Sequence, residues 1–358
     1  MSKDHSMDYL KRFFTALLLG ANLCTLSFLW ICCLVSNISP EYIPKLSLLG
    51  LTFPAVLLFN LLFVVLWFLF RPKFLLVPLL GLLAVGGYIL DYCPINFDAR
   101  VHPECIKVIS FNAAGLVGEE NKAKFIQYLK SEAPDIICLQ ELGTGWFHHK
   151  EVRQVTDSMQ YSFKGGKNKC ILSRMPFLSD TLHITYPTRT NGSIACWIEV
   201  HGDSVLVVNN HLESNHLSNE DKDEYTDMLK EPNNKEKFKT SGLQLLRKLA
   251  NASKYRGPQT DSVCSFIKKK GMPSVIMCGD HNDTPISYTY QKTARNLNSA
   301  FRESGNGIGV SYNQKGFFFR IDHVFISEDW ESCKTYIDTQ MEMSDHYPLV
   351  TYLRKKQH

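Results

Sequence analysis

The sequence predicts an α/β (α+β) fold in which two packed β-sheets are flanked by helices, preceded by an all-α transmembrane segment. Three observations support this class. The first hundred residues contain three apolar runs, strand-like segments alternate with helical ones from Ile106 onwards, and polar side chains recur where the strand-like segments end. With 358 residues the chain has room for two domains, which we place at residues 1–100 and 101–358.

The apolar runs lie at residues 13–36, 47–70 and 74–90. The first two contain no charged residue and have the length of about 20 residues that a helix needs to cross a bilayer. The third is at the short end of that range and contains Gly86 and Gly87. Three runs so close together argue against buried core helices and against a cleaved signal peptide. We therefore expect an anchor of about three transmembrane helices in a lipid bilayer.

Basic residues are distributed unevenly around these runs. They precede the first run and separate the second from the third, at Lys3, Lys11, Arg12, Arg71 and Lys73, whereas the connection between the first two carries only Lys45. The positive-inside rule then places the N-terminus in the cytoplasm. Three crossings make the chain an integral membrane protein with an extracytoplasmic second domain. If the third run does not cross, that domain is cytoplasmic.

The net charge and the cysteine content exclude few classes of protein. The net charge of +4 is too small to require a nucleic-acid partner. The chain has eleven cysteines but no CxxC pair and no Cys/His spacing typical of a zinc site, so zinc is not indicated.

From Ile106 the chain alternates between segments typical of buried strands and of helices. The expected strands are residues 106–112, 135–141, 169–176, 193–200, 204–213, 272–277, 320–327 and 344–354. The expected helices are residues 119–133, which end at Pro134, and 241–255. The polar segment 213–239 is expected to be a solvated insertion or a flexible lid.

Ionisable and amide side chains recur at the ends of the expected strands. They are Asn112, Glu141, His211, Asp280, Asn282, Asp345 and His346, while Asp322 lies within a strand, where a buried carboxylate needs a partner. Each has an ordinary explanation by itself, because Asp and Asn are common in turns. Their recurrence at the ends of several strands, where sheets place ligand sites, predicts one functional site.

The same motifs, taken in order, resemble those of a known superfamily. The segments are SFNAAG, DIICLQE, LSRMP, NNHLES, GDHND, IDHVFIS and SDHYPL. They are similar to the endonuclease/exonuclease/phosphatase superfamily of metal-dependent phosphoesterases, which includes deoxyribonuclease I-like nucleases, inositol polyphosphate 5-phosphatases and neutral sphingomyelinases. The resemblance covers residues 107–354 and implies a four-layer sandwich, with two sheets face to face and helices outside.

The resemblance also implies a divalent-metal-dependent hydrolase of phosphodiester bonds. Carboxylate and amide oxygens suit Mg²⁺ or Mn²⁺, which neutralises phosphate charge. We expect Glu141 to be the first metal ligand, with Asn112 beside it. Asp345 is expected to complete the shell of the metal through water.

The remaining polar residues take catalytic roles by the same similarity. Asp280 is expected to orient and deprotonate the attacking water, and Asn282 to hold that geometry or bond a phosphate oxygen. His346, oriented by the carboxylate of Asp322, is expected to donate to the phosphate, and His211 to do the same from a neighbouring strand.

Other polar residues are left outside the expected site. His281 and Asp283 are interpreted as turn residues, and His148 with His149 as an exposed loop pair. His323 follows Asp322 directly, so strand alternation points it to the opposite face.

The substrate stays open between nucleic acid and a phospholipid or inositol phosphate headgroup. Candidate nucleic-acid contacts occur in residues 163–169 and 313–320, although the latter contains Phe317, Phe318 and Phe319, which cannot all face one way in a strand. The alternative to an enzyme is a catalytically inactive module that binds a phosphorylated ligand or partner at the membrane. The oligomeric state is not indicated by the sequence.

Overall fold

A computed structural model describes residues 2–97, 99–114, 116, 118–142, 146, 164–166, 168–186, 191–230, 235–314 and 316–356. The N-terminal part is all-helical. Its helices are α1 (Ser2–Val35), α2 (Pro44–Ser47), α3 (Phe53–Phe70), α4 (Leu76–Ala84) and α5 (Gly86–Tyr92), with 3-10 turns at Leu48–Thr52 and Pro72–Phe74.

Two stretches of this part are long and apolar enough to cross a membrane, at Ser6–Val35 and Pro44–Phe70. The third expected run, residues 74–90, is two short helices that are bent by 64° at a break. The break falls at Val85, directly before Gly86 and Gly87, which weaken a helix because they lose more backbone entropy than other residues. The bent pair is either one broken span or a re-entrant loop.

The remainder contains fourteen described strands and five described helices. The strands are β1 (Ile106–Asn112), β2 (Ile136–Gln140), β3 (Lys164–Gly166), β4 (Lys169–Ser173), β5 (Leu182–Ile184), β6 (Gly192–Val200), β7 (Asp203–His211), β8 (Val275–Asp280), β9 (Asn298–Ser299), β10 (Tyr312–Gln314), β11 (Phe317–Phe319), β12 (Asp322–Ile326), β13 (Trp330–Ile337) and β14 (Leu349–Lys355). The helices are α6 (Glu119–Glu132), α7 (Asn219–Lys230), α8 (Lys235–Lys269), α9 (Tyr288–Ala294) and α10 (Ala300–Ser304).

Two six-stranded mixed sheets form the centre of this part. Sheet A has the order β13-β14-β1-β2-β4-β3, and sheet B has the order β5-β6-β7-β8-β12-β9. Buried residues of both sheets pack together between them, among them Val108 and Cys138 of sheet A with Val207 and Cys278 of sheet B. The expected class of two packed sheets with helices, behind an all-α segment, is confirmed.

Helices cover the outer faces of both sheets. On sheet A, Phe125 and Leu129 of α6 pack in one cluster with residues of β1 and β2. On sheet B, Val263 and Ile267 of α8 pack with residues of β7 and β8. The expected four layers are therefore present, because each sheet buries one face on the other sheet and one face under a helix.

Strand register brings the polar strand ends together. In sheet B, Asp280 lies opposite His211 on one side and Asp322 on the other. In sheet A, Asn112 pairs with Gln140, so Glu141 follows directly beside Asn112. Since the two sheets face each other, these two rows converge at one edge of the sandwich.

The expectation for residues 213–239 is wrong in part. The segment contains α7, and its end already belongs to α8, a helix of 35 residues that was expected only over residues 241–255. Asp221 stabilises the start of α7, since its carboxylate accepts a hydrogen bond of 2.7 Å from the backbone N–H of Ser218. Helix α8 continues through Pro258, which a sequence pattern alone marks as a point where helices end.

Candidate active site

Asp280 lies at the end of β8 and is almost fully buried, with 1% of its surface exposed. Its Oδ1 accepts a hydrogen bond of 2.8 Å from the backbone N–H of Asn282. Its Oδ2 accepts bonds from Asn112 Nδ2 at 3.0 Å and Asn282 Nδ2 at 3.1 Å. Burial raises the pKa of Asp280 to about 6, even though nearby His346 and His211 oppose that shift. The carboxylate therefore changes its protonation state close to neutral pH.

His346 and Asp322 form a buried pair. His346 Nδ1 lies 2.8 Å from Asp322 Oδ2, and His346 Nε2 lies 3.8 Å from Asp280 Oδ2. Burial alone would lower the pKa of His346, but the carboxylates of Asp322 and Asp280 outweigh burial and raise it to about 10. The imidazole is accordingly held in its protonated form, with Asp322 fixing the direction of the ring.

Glu141 faces His211 across the cleft between the sheets. Glu141 Oε1 lies 3.3 Å from His211 Nε2 and accepts a hydrogen bond of 3.1 Å from Asn112 Nδ2. His211 is the main cause that lowers the pKa of Glu141 to about 2, and burial opposes it. His211 Nε2 has no hydrogen bond of good geometry within the described part of the chain. A buried nitrogen of this kind is satisfied when an anionic oxygen of a ligand enters the site.

Asp345 and Ser344 join the end of β1 to the segment before β14. Ser344 Oγ donates to the backbone oxygen of Asn112 at 2.9 Å and accepts from the backbone N–H of His346 at 3.2 Å. Asp345 lines the same cavity as Glu141 and Asp280. Its carboxylate lies 3.9 Å from Lys222 Nζ of α7.

The donor set fits a hard divalent cation. Among the described side chains, Glu141, His211 and Asp280 lie close enough together to hold a metal ion. Asp280, Asp322 and His346 also lie close together, but the protonated imidazole of His346 offers no ligand atom. The two carboxylates of the first group are ligands of the kind that Mg²⁺ and Mn²⁺ prefer. Asn112 presents its amide nitrogen to Glu141, while its oxygen accepts from the backbone N–H of Ala114 at 3.0 Å. A ligand role for Asn112 requires its oxygen to be turned towards the cation.

Two of the site residues have an unusual backbone. Glu141 has a φ of 55° and Asn282 a φ of 51°, in the left-handed region that costs energy for residues other than glycine. Both follow the end of a strand, β2 and β8 respectively. The turn at each position redirects the side chain from the sheet towards the cleft.

Four histidines were left outside the expected site by the sequence analysis. His323 is buried on the other face of sheet B, where its ring contacts His281 at 5.3 Å and Tyr290 at 5.0 Å between centroids. His281 is 1% exposed rather than a solvent-facing turn residue, and burial lowers its pKa to about 4. His148 and His149 lie outside the described residues.

Three side chains near the site were not identified from the sequence. Buried Arg256 of α8 lies 3.2 Å from Asp283, so this half-buried turn residue is also an ion-pair partner. Tyr312 packs its ring on His346 with a centroid distance of 5.0 Å. Lys222 lies over Tyr312. No strand-end motif marks these residues, because they reach the site from α7, α8 and β10.

The comparisons with known proteins agree with this architecture. A family model described as "Endonuclease/Exonuclease/phosphatase family" matches residues 109–346, and a domain of unknown function matches residues 13–92. No curated protein sequence matches the chain.

Solved structures that are similar to this chain were also found. The human Nocturnin catalytic domain with bound sulfate anion is 17% identical, with a TM-score of 0.51 over 73% of this chain and 96% of that chain. Humanized D. rerio TDP2 is 17% identical, with a TM-score of 0.48 over 70% of this chain and 100% of that chain. The likeness to Nocturnin supports the fold of the two sheets and their helices.

Proposed function

The chain belongs to the endonuclease/exonuclease/phosphatase family, and from this premise we propose that it is a membrane-anchored hydrolase of phosphodiesters that uses Mg²⁺ or Mn²⁺. Phosphoester hydrolysis is the activity that the family supports. The observation that carries the narrower proposal is Asp280, a buried carboxylate with a pKa of about 6 that faces two histidines and lines an open cavity.

In the proposed hydrolytic step each site residue has one role. Asp280 takes a proton from a water molecule, whose oxygen forms a bond to phosphorus while the bond from phosphorus to the leaving oxygen breaks. The leaving oxygen takes up a proton from solvent. Asn282 and Asn112 hold the Asp280 carboxylate in position through the amide bonds described above.

Two histidines surround the position of the phosphate. Protonated His346, held by Asp322, donates to a phosphate oxygen as negative charge develops. His211 Nε2, which lacks a good hydrogen bond in the described structure, donates to a second oxygen. Glu141, Asn112 and Asp345 would hold the divalent cation, which neutralises phosphate charge when bound.

The apolar helices support membrane attachment. We propose that Ser6–Val35 and Pro44–Phe70 cross the bilayer and that the bent pair of α4 and α5 crosses as one broken span, which leaves the two-sheet part outside the cytoplasm. A reporter that is active only outside the cytoplasm, fused after Lys356, is expected to be active. An active cytoplasmic reporter at the same position would contradict this orientation.

The activity is tested with the full chain in detergent, because the helical part contacts the two-sheet part. Bis-p-nitrophenyl phosphate with Mg²⁺ or Mn²⁺ should release p-nitrophenol, and EDTA or Asp280→Asn should abolish release. The matched control is Asp203→Asn, since the side chain of Asp203 is 58% exposed and forms an ion pair with Lys355. Equal release by the wild type and Asp280→Asn would reject the proposal. Saturable phosphate-ester binding without turnover would support the inactive binding module.

A further inference from the structure

The site residues line part of a larger cavity of about 470 Å³. They are Glu141, Asp280, Asn282, Asp345 and His346. The volume is within the range of pockets that enclose most of a small ligand, roughly 300–1,000 Å³. A phosphodiester at the site would therefore extend one of its two substituents into the rest of the cavity.

Part of the cavity lining is apolar. It includes Leu48 and Leu51 of the 3-10 turn between α2 and α3, together with Leu217 and with Leu245, Leu246 and Leu249 of α8. Leu246 keeps 49% of its surface exposed, so the described protein does not itself cover this leucine. Exposed leucines beside a cavity favour an apolar ligand, since each removes hydrocarbon surface from water when covered.

The 3-10 turn is held firmly against the two-sheet part. A Cβ at Gly50 would lie 1.9 Å from the backbone oxygen of Ile286, so only glycine permits this close approach. Ser47 Oγ lies 3.0 Å from Ser253 Oγ of α8. The turn belongs to the candidate span Pro44–Phe70. One wall of the cavity is therefore made by a segment at the end of a proposed transmembrane helix.

The charges of the lining do not suit a nucleic acid. Among the described lining residues the cationic side chains are Lys222 and Arg256, and each lies beside a carboxylate, Asp345 at 3.9 Å and Asp283 at 3.2 Å. A polynucleotide needs cations that are available to successive phosphates. Tyr225 and Phe317, which could stack on bases, instead pack on each other with ring centroids 4.4 Å apart.

We propose that the substrate is a membrane lipid whose headgroup linkage is a phosphodiester, and that its hydrocarbon chain lies between the 3-10 turn and α8. The proposal rests on the proposed function, since it places the phosphate of the lipid beside Asp280. The hydrocarbon chain of the lipid enters the leucine-lined part of the cavity from the bilayer that surrounds Pro44–Phe70. The 3-10 turn of the anchor is thus a specificity element of the site as well as a connection between helices.

The first comparison uses leucines of nearly equal exposure inside and outside the cavity. Leu246 lines it with 49% exposure, and Leu243 of the same helix does not line it and has 46% exposure. The variants are Leu246→Asn and Leu243→Asn in the full chain. The second pair is Leu51→Asn, at a half-buried lining residue, and Leu46→Asn, at a residue that is 52% exposed and outside the lining, and the Tm of Leu51→Asn is compared with that of the wild type to control for folding.

Each protein is assayed on three kinds of phosphodiester with Mg²⁺ or Mn²⁺. They are bis-p-nitrophenyl phosphate, a single-stranded DNA oligonucleotide, and detergent micelles that carry phosphatidylcholine, phosphatidylethanolamine, phosphatidylglycerol or sphingomyelin. We expect cleavage of at least one lipid. In Leu246→Asn and Leu51→Asn the ratio of kcat/KM for that lipid to kcat/KM for the small diester should fall about tenfold or more, as the loss of one buried leucine contact implies. Leu243→Asn and Leu46→Asn should keep the wild-type ratio within about twofold.

A binding measurement separates contact from catalysis. Asp280→Asn protein should retain a fluorescent short-chain phosphatidylcholine, and adding Leu246→Asn should weaken its retention by a similar factor. Cleavage of the small diester or of DNA without any lipid cleavage would overturn the lipid proposal and leave the proposed function standing. Equal behaviour of Leu246→Asn and Leu243→Asn would overturn it too. Failure to cleave even the small diester would reject the proposed function itself.

Discussion

Asp280 combines two properties that a buried carboxylate seldom has together. Two side-chain amides hold its Oδ2, and burial still raises its pKa to about 6. A base with a pKa near the working pH is half deprotonated there and still takes a proton effectively. The neighbouring Asn112 also bonds Glu141, so one amide fixes the distance between the proposed base and the proposed metal ligand.

The Asp280→Asn substitution should remove turnover without unfolding the protein. The loss of a general base predicts a fall in kcat of at least about 100-fold. The side chains of Asp and Asn are nearly equal in size. Because burial raises the pKa of Asp280, the contribution of its protonated form to the free energy of unfolding is lost as the pH rises through about 6. Thermal unfolding at pH 7 should therefore shift by less than about 4 °C. A large drop in Tm would mean that Asp280 is structural.

Asp322 should act through His346, and a pH profile can show it. The raised pKa of His346 keeps the imidazole protonated until the pH approaches about 10, so the alkaline fall of the wild-type rate should lie near that pH, whereas the acid fall near pH 6 belongs to Asp280. Asp322→Asn removes the nearest carboxylate and lowers the pKa of His346, which moves the alkaline limb to lower pH. A profile with the wild-type limb and a uniformly lower rate would assign Asp322 a purely structural role.

At the scale of elements, α8 and the 3-10 turn decide the shape of the cavity. Helix α8 packs Val263 and Ile267 on sheet B while its N-terminal half lines the cavity with leucines. The turn meets the segment that follows Asn282 at Ile286. A displacement of the turn would therefore change both the apolar wall and the loop that carries Asn282.

Gly50→Ala should loosen this contact. A methyl group 1.9 Å from the Ile286 oxygen forces the turn away, so we expect a lower Tm and a lower rate on the lipid substrate. Gly20→Ala is the matched control, since a Cβ at Gly20 meets nothing within 4 Å and alanine favours the helix. Differential scanning fluorimetry of the full chain measures both variants. An unchanged Tm in Gly50→Ala would show that the contact contributes little.

At the scale of the whole molecule, the N-terminal helical part and the two-sheet part share a polar interface. Asp91 of α5 is 4% exposed, lies 2.7 Å from Arg302 Nη1 and accepts from Gln291 Nε2 at 2.9 Å. Arg320, which is 2% exposed, donates to the backbone oxygens of Asp91 and Tyr92. The N-terminal helical part thus accepts hydrogen bonds from a buried guanidinium of the two-sheet part.

Asp91→Ala should destabilise the full chain. Asp91 is buried, but the side chain of Arg302 is 42% exposed and water can replace its lost acceptor, so the loss of the bonds to Arg302 and Gln291 should cost about 1–2 kcal/mol. Asp203→Ala removes an exposed partner of Lys355 and should cost less than about 1 kcal/mol. Unfolding in urea, followed by tryptophan fluorescence, gives both values. If Asp91→Ala lowered the free energy of unfolding as little as Asp203→Ala does, the interface would be held by apolar contacts instead.

Local patterns explain what could be predicted from the sequence. Apolar patterns located four strands of each sheet, whereas β13 and the short strands β3, β5 and β9 were not expected. Polar residues at strand ends led to the group around Asp280, Glu141 and His346, whose roles stay predictions. The length of α8 and the ion pair of Arg256 with Asp283 depend on contacts between distant segments. The contact of Gly50 with Ile286 has the same origin, since residues more than two hundred positions apart meet only after folding.

The position of β14 in sheet A has a consequence for synthesis of the protein. This strand, the last that the structure describes, lies between β1 and β13, and His346 directly precedes it. A nascent chain that has reached β13 therefore still lacks the centre of one sheet and a donor of the proposed site. Sheet A, and with it the position of His346, can therefore be completed only once residues 349–355 have been translated and inserted between β1 and β13.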